Sequence, residues 1–204
     1  MTMNLTDRDA LRAHYGSVSR TASGKEMDRI DRHGRRFIEL SPLVVLATAD
    51  AEGRCDASPK GDAPGFVKVL DERTLLIPDR PGNNRVDSLQ NIVANPRVGL
   101  IFFLPGYKET FRANGTARIS TEPELLEATA HAGKAPRSVI VVSVEEAFMH
   151  CGKALIRSKL WDPTQHIAKG QFPSLARILA DQIEGIEEKA TDALIEDAYE
   201  RQLY

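Results

Sequence analysis

The stretch Thr74–Arg85 reads Thr-Leu-Leu-Ile-Pro-Asp-Arg-Pro-Gly-Asn-Asn-Arg and joins a strand-like apolar run to a helix-compatible segment through a loop rich in anion-binding groups. Leu75 to Ile77 are apolar, Pro81-Gly82 imposes a turn, and Val86 to Ala94 suits a helix, so Asn83, Asn84 and Arg85 fall at a helix start. There, free backbone N–H groups and the positive end of the helix dipole attract negative charge. Arg80 and Arg85 add planar donor forks that match phosphate oxygens. The chemistry indicated is phosphate binding. Taken alone, the same residues also describe an ordinary turn with an Asn cap and two solvated arginines, so the surrounding elements must decide.

Those elements are mostly short strands. After a helix capped at Thr6-Asp7 and running to Tyr15, a loop over Gly16–Lys25 and a second helix within Asp28–Leu40, the period changes. Leu43–Thr48 and Cys55–Lys60 flank the turn Ala51-Glu52-Gly53-Arg54 and form a hairpin. Phe66–Leu70 and Thr74–Ile77 flank a second tight connection, and the helix over Val86–Ala94 stops at Asn95-Pro96. Val98–Leu104 is a further strand. Thr110–Ile119 alternates in polarity and reads as one long strand with a bulge at Gly115, in preference to two short arms around Asn114-Gly115. A hydroxyl-capped helix from Ser120-Thr121 precedes a buried strand over Ser138–Val144. Lys153–Leu160 is helical, and the tail is helical from Ser174 with a joint at Gly185 and an amphipathic end over Ala190–Leu203.

The expected architecture is mainly β (α+β): one domain over residues 1–204, an antiparallel barrel of about six strands over roughly 40–150, and helical extensions at both ends. Neither a dinucleotide glycine fingerprint nor a P-loop motif occurs. A formal net charge of −2 gives no global field for nucleic acid or anionic membrane. No window is apolar enough to span a bilayer, Met1–Ala10 does not resemble a signal peptide, and the expected location is the cytoplasm. The two cysteines, Cys55 and Cys151, and the five scattered histidines lack metal-ligand spacing, so no metal is expected. The sequons at Asn4 and Asn114 have no consequence without secretion.

Three segments carry a resemblance as a set: Ser58-Pro59-Lys60-Gly61-Asp62, Pro64-Gly65-Phe66-Val67-Lys68-Val69-Leu70-Asp71 and Leu76–Arg85. Asn95-Pro96-Arg97-Val98-Gly99-Leu100-Ile101-Phe102 and Glu109-Thr110-Phe111-Arg112-Ala113-Asn114-Gly115 continue it in order. Over roughly Leu40–Trp161 the chain resembles the pyridoxamine 5'-phosphate oxidase-like flavoproteins. The resemblance implies an FMN-binding split barrel, a homodimer with flavin sites at the subunit interface, and FMN as cofactor, with a related deazaflavin left open. It implies that Phe66, Val67 and Lys68 run beside the ring and phosphate, with Lys68 as a phosphate-binding lysine, and that Ile77 and Pro78 offer backbone groups to the flavin's polar edge. Asn83, Asn84 and Arg85, with Arg80, would cradle the phosphate, Ser58 and Lys60 would join them, and Glu109 and Thr110 would approach from the following strand. The segment Cys151–Trp161 resembles one that this branch places near the flavin, which brings in Lys153, Arg157, Ser158 and Trp161.

Flavin supplies its own redox chemistry, so no catalytic acid or base is assigned. Lys60 and Arg112 are candidates, on charge, to stabilise a reduced anionic ring, whereas His150 reads as a packed or partner-facing histidine. The chain ends Tyr199-Glu200-Arg201-Gln202-Leu203-Tyr204, without the arginine-rich terminus of true pyridoxamine phosphate oxidases, so vitamin B6 is not the expected substrate. The implied activity is an FMN-dependent oxidoreductase acting on a small molecule. A non-catalytic protein that stores or senses FMN, or holds haem, is the alternative.

Overall fold

The computed structural model describes residues 5–201 and 203; the Asn4 sequon, the first residues of the leader reading, Gln202 and Tyr204 lie outside them. Seven antiparallel strands form one sheet in the order β2-β1-β5-β6-β7-β4-β3. They are β1 (Leu43–Ala49), β2 (Cys55–Gly61), β3 (Lys68–Val69), β4 (Thr74–Pro78), β5 (Arg97–Phe103), β6 (Thr110–Ser120) and β7 (Val139–His150). Helices α1 (Arg8–Tyr15), α2 (Arg20–Ser23) and α3 (Arg32–Leu40) precede them, α4 (Asp87–Ala94) and α5 (Pro123–Ala128) are inserted, and α6 (Lys153–Ser158), α7 (Leu175–Gln182) and α8 (Glu188–Arg201) follow.

The chain path forces this sheet to curl. β2 and β3 are consecutive in sequence yet stand at opposite ends of the ladder. Laid flat, seven strands would hold their edges about 29 Å apart. The link 62–67 reaches roughly 25 Å only if fully extended, and it is shortened by a turn in which Phe66 N–H donates to Ala63 O at 3.1 Å and Gly65 takes φ 79°. The edges therefore approach without pairing, which leaves a barrel split along one seam. Inside lie Val44, Leu46, Leu100, Phe102, Phe111 and Ala113, with Phe66 and Val67 of the link buried among them. Each such large side chain contributes about 1.5–3 kcal/mol on burial. Phe37 and Ile38 of α3 and Ile92 of α4 join the same core.

β6 is one continuous strand, as expected, and the register slips between Asn114 and Gly115. The extra residue is on the partner strand: Asn114 opposes Glu146 while Gly115 opposes Val144, so Glu145 bulges from β7. That bulge explains why β7 runs to His150, beyond the expected Val144: it breaks the alternation from which the strand end was read. Three smaller differences concern local chemistry. Ser19 caps a one-turn helix, α2, inside the expected loop, with its hydroxyl accepting from Ala22 N–H at 3.3 Å. β3 is confined to Lys68–Val69 within the strand expected over Phe66–Leu70, because Phe66 closes the turn from Ala63 instead of joining the ladder. α5 starts on Pro123 with Glu122 as an N-cap that makes no side-chain hydrogen bond, in place of a hydroxyl cap.

A methyl group on Gly115 would overlap the carbonyl oxygen of Ser143, a backbone atom that cannot rotate away. Gly115→Ala is expected to lower stability by about 3 kcal/mol, at the upper end for overpacking, seen as a lower urea midpoint at unchanged slope; an unchanged midpoint would place the bulge elsewhere.

Candidate functional site

The seam is lined by the inward face of an edge strand whose composition departs from the rest of the barrel. In the ladder Lys60 opposes Val44, Ser58 opposes Leu46 and Asp56 opposes Thr48, so three polar residues share the face on which β1 places core side chains. All three are half-buried. They face the start of α4 and the loop after β4: Ser88 Oγ lies 3.4 Å from Asp56 Oδ2, and Asn91 Nδ2 donates to Thr48 Oγ1 at 3.0 Å. Inward charge at an edge also discourages strand addition.

From Pro78 the loop is held residue by residue. Asp79 N–H donates to Ser138 O at 2.9 Å. Arg80 donates from Nε to Asp62 Oδ2 at 2.6 Å and from Nη2 to Thr129 O at 3.0 Å, binding the β4 end to the link and to α5. The Asp62 side chain is 1% exposed, so this pair crosses the seam in a largely dry setting. Lys60 Nζ and Asp79 Oδ1, at 4.0 Å, span it a second time. Asn83 Oδ1 accepts from Arg85 N–H at 3.1 Å, and both Asn84 (φ 59°) and Val86 (φ 55°) are left-handed. For a β-branched valine this conformation is strained. Val86 is the N-cap of α4 and offers no side-chain cap, so the first N–H groups of the helix, whose residues Val86–Leu89 line the cleft, have no competing hydroxyl or carboxylate cap.

The resulting cleft has a volume of about 520 Å³, bounded by Asp56–Lys60 on one side and Asp79–Leu89 on the other, with Arg137 at its rim. A second cavity of about 360 Å³ adjoins it at Ser58–Gly61, Phe66, Pro78 and Arg80–Asn83. Both fall in the range of small-molecule sites. Lys60, Arg80, Arg85 and Arg137 are offset by Asp56, Asp79 and Asp87. Arg85 Nε donates to Asp87 Oδ2 at 2.7 Å, and that hydrogen bond, with the charge behind it, pushes the guanidinium still further above its ordinary pKa. The donor set of side-chain amides, guanidinium groups, an ammonium group and a helix start suits a phosphate monoester.

Of the residues singled out from sequence, the fold brings Ser58, Lys60, Arg80, Asn83, Asn84 and Arg85 around the main cleft, with Phe66 and Pro78 on the adjoining cavity. Val67 and Ile77 are buried in the core. Lys68 Nζ donates to Gly65 O at 2.9 Å, beside a smaller pocket. Glu109, Thr110, Lys153, Arg157, Ser158 and Trp161 form a separate group, none of them lining the cleft. Thr110 pairs with His150, from which the chain enters α6, and Trp161 Nε1 donates to Tyr107 O at 2.9 Å. Sequence reasoning passed over Asp56, Asp79, Asp87, Ser88 and Arg137. Arg137 enters from just before β7, where its Nη1 donates to Asn84 Oδ1 at 3.3 Å, and only its charge beside Pro136 could have drawn attention to it.

The pyridoxamine 5'-phosphate oxidase family model matches residues 30–151, more than half of the chain. The chain belongs to that family. The matched segment holds every strand and both cleft walls, while α1, α2 and α6–α8 lie outside it. A pyridoxine/pyridoxamine 5'-phosphate oxidase of Rubrobacter xylanophilus is 30% identical over 125 residues, covering 58% of this chain and 54% of its own, so the chain spans about half the length of that relative. Among solved structures, HupZ of Group A Streptococcus is 23% identical with a TM-score of 0.50, over 60% of this chain and 98% of that one. An FMN-binding protein of Syntrophomonas wolfei is 12% identical with a TM-score of 0.43, over 56% and 82%. The family thus shares the split-barrel fold, and among the described residues no helix is long and apolar enough to cross a membrane.

Because Arg80 serves a buried carboxylate, its loss acts on the fold before any ligand. Arg80→Met is expected to cost about 3 kcal/mol by taking the guanidinium away from the buried Asp62 carboxylate, measured by chemical denaturation of ligand-free protein, whereas Arg85→Met on the exposed loop should leave the midpoint in place. Equal effects would remove the distinction between latch and ligand residue.

Proposed function

We propose that this protein is an FMN-dependent oxidoreductase of the pyridoxamine 5'-phosphate oxidase family that acts on a small substrate as a homodimer. The observation that carries this reading is the cleft, where the inward polar face of β2 confronts Asn83, Asn84 and Arg85 at an α4 start without a side-chain cap. In a family whose structural neighbours include an FMN-binding protein, that arrangement suits the phosphate tail of the cofactor. Asn83, Asn84, Arg85 and Arg137 would hold the phosphate, and Ser58 and Lys60 would orient what lies between phosphate and ring. Bound FMN supplies hydride or electron transfer between a reduced donor and a small organic acceptor. The chain's own work is to bind, orient and exclude water.

The outward face of the sheet supports the dimer. Ala57 and Pro59 of β2, Leu43, Val45 and Ala47 of β1, and Gly99, Ile101 and Phe103 of β5 alternate away from the core and are all half-exposed or exposed. A contiguous apolar sheet face of this kind suits a second copy packed about a two-fold axis, since the same patch is then buried on both subunits.

FMN titration followed by absorbance and flavin fluorescence tests the reading. Arg85→Ala and Arg137→Ala are each expected to weaken FMN by about tenfold or more, as loss of a charge-assisted contact does. Failure of the wild-type protein to take up FMN would overturn the assignment, and stoichiometric flavin that no nicotinamide donor can reduce would make the protein a carrier. Ile101→Glu is expected to give monomers by light scattering and to weaken FMN with them; a dimer that persists would move the interface to another surface.

A further inference from the structure

The wall of the cleft contains a residue whose backbone suits neither its type nor its place in the chain. Val86 takes φ 55° and ψ 24° as the N-cap of α4. An N-cap ordinarily holds extended backbone, as Asp7, Ser19, Asp31 and Ser174 do at α1, α2, α3 and α7. A β-branched side chain favours that same extended region and meets a steric penalty in the left-handed one. Asn84, also left-handed at φ 59°, bears little of this penalty, because asparagine tolerates the region. Val86 is 42% exposed, so packing does not hold it there.

A left-handed valine persists only where its surroundings impose it. Here its two neighbours do so through polar contacts. Arg85 is fixed at three points: its backbone N–H donates to Asn83 Oδ1 at 3.1 Å, its Nε donates to Asp87 Oδ2 at 2.7 Å, and its carbonyl oxygen accepts from Gln90 Nε2 at 3.1 Å. The Arg85–Asp87 pair therefore bridges the residues on either side of Val86, and Arg137 Nη1 steadies the loop from outside by donating to Asn84 Oδ1 at 3.3 Å. The paired side chains are 72% and 44% exposed, so this clasp is weak in water and lies near balance with the strain it maintains. The groups that close it are also groups that line the cleft: Asn83, Asn84, Arg85, Asp87 and Arg137. A phosphate that draws the Arg85 guanidinium towards the cleft pulls it off Asp87 and removes the contact that spans Val86.

We infer that residues 83–86 form a two-state clasp, strained while the cleft lacks a phosphate group and released when it holds one. In the closed state Arg85 rests on Asp87 and Val86 is left-handed. In the released state Arg85 turns to the phosphate, and Val86 returns to the extended backbone normal for its residue type and for an N-cap. The strain carried by the ligand-free chain is given back on binding, so it adds to the affinity of any ligand that opens the clasp and adds nothing for one that leaves it closed. That the phosphate is the tail of FMN rests on the oxidoreductase reading above; the clasp itself requires only a phosphate group at the start of α4.

The test follows Val86 by NMR in full-length protein, through the HN–Hα coupling and the Cα and Cβ shifts that separate left-handed from extended backbone, with the signals assigned from Val86→Ala. FMN and, separately, inorganic phosphate are titrated at constant ionic strength. Left-handed values are expected in the free protein and extended values with at least one of the two ligands. Affinity for the ligand that moves Val86 is then compared in Val86→Gly and Val86→Ala. Glycine accepts the left-handed state freely and stabilises the closed clasp alone, so it should weaken binding about tenfold, the scale of one strained residue. Alanine loses the same side-chain contacts but keeps its Cβ and part of the penalty, so it should weaken binding clearly less. Equal weakening by both variants, no weakening by glycine, or a Val86 that is extended before any ligand is added would overturn the clasp. Uptake of FMN with Val86 still left-handed would overturn it and keep the flavin reading. Refusal of FMN by a protein whose Val86 is released by inorganic phosphate would do the reverse, and a cleft that takes neither ends both.

Discussion

The short link between β2 and β3 is the constraint on which the structure turns. Residues 62–67 join the two edges of the sheet, so the sheet must curl until those edges face each other, yet they do not pair. An unpaired seam is a place where backbone and side chains can meet a ligand instead of a neighbouring strand. Phe66 and Val67 anchor the link in the core, while Asp62 in the same link holds Arg80 across the gap. One short segment therefore bends the sheet, leaves it open and fixes the width of the opening.

The seam also explains why charged residues are tolerated on an inward face. Lys60 and Asp79 are about one-fifth exposed and would be costly to bury alone. Three of the four cations at the cleft have a carboxylate within reach: Lys60 has Asp79, Arg80 has Asp62 and Arg85 has Asp87, while Arg137 donates to the Asn84 side-chain oxygen. On the reading proposed above, an arriving phosphate would compete with Asp79 and Asp87 for donors already in use. Its affinity is the difference between two sets of charge-assisted contacts, which favours a ligand that can also use the N–H groups at the α4 start, a place the Asp87 side chain does not cap.

Much of this was legible in the sequence because local chemistry and fold agree. The hairpin over Leu43–Lys60, the stop at Asn95-Pro96, the long β6 with its slip at Gly115, and the position of Asn83–Arg85 at a helix start all rest on patterns a few residues long. What escaped depends on distant partners. Arg80 was grouped with the phosphate ligands by position in the loop, and only the fold gives it Asp62 and Thr129 as partners. Arg137 reaches the cleft from the far side of α5, a distance no local pattern measures. The end of β7 was hidden because a single bulged residue, Glu145, shifts the alternation from which strands are read.

The parts outside the family match raise the question of what they contact. α7 and α8 pack against each other, but Ile167, Phe172, Leu175, Leu194 and Tyr199 remain largely exposed along the same arm. Together with the apolar outer face of β1, β2 and β5, one chain displays two sizeable apolar surfaces, more than isolated chains usually show. A two-fold pairing of sheet faces would bury the first. If the arm then lay across the partner, it would bury the second in the same operation and bring α6, with Lys153 and Arg157, towards the other subunit's seam. The basic residues that miss the cleft within one chain would on that arrangement have a use, which a chain acting alone does not give them.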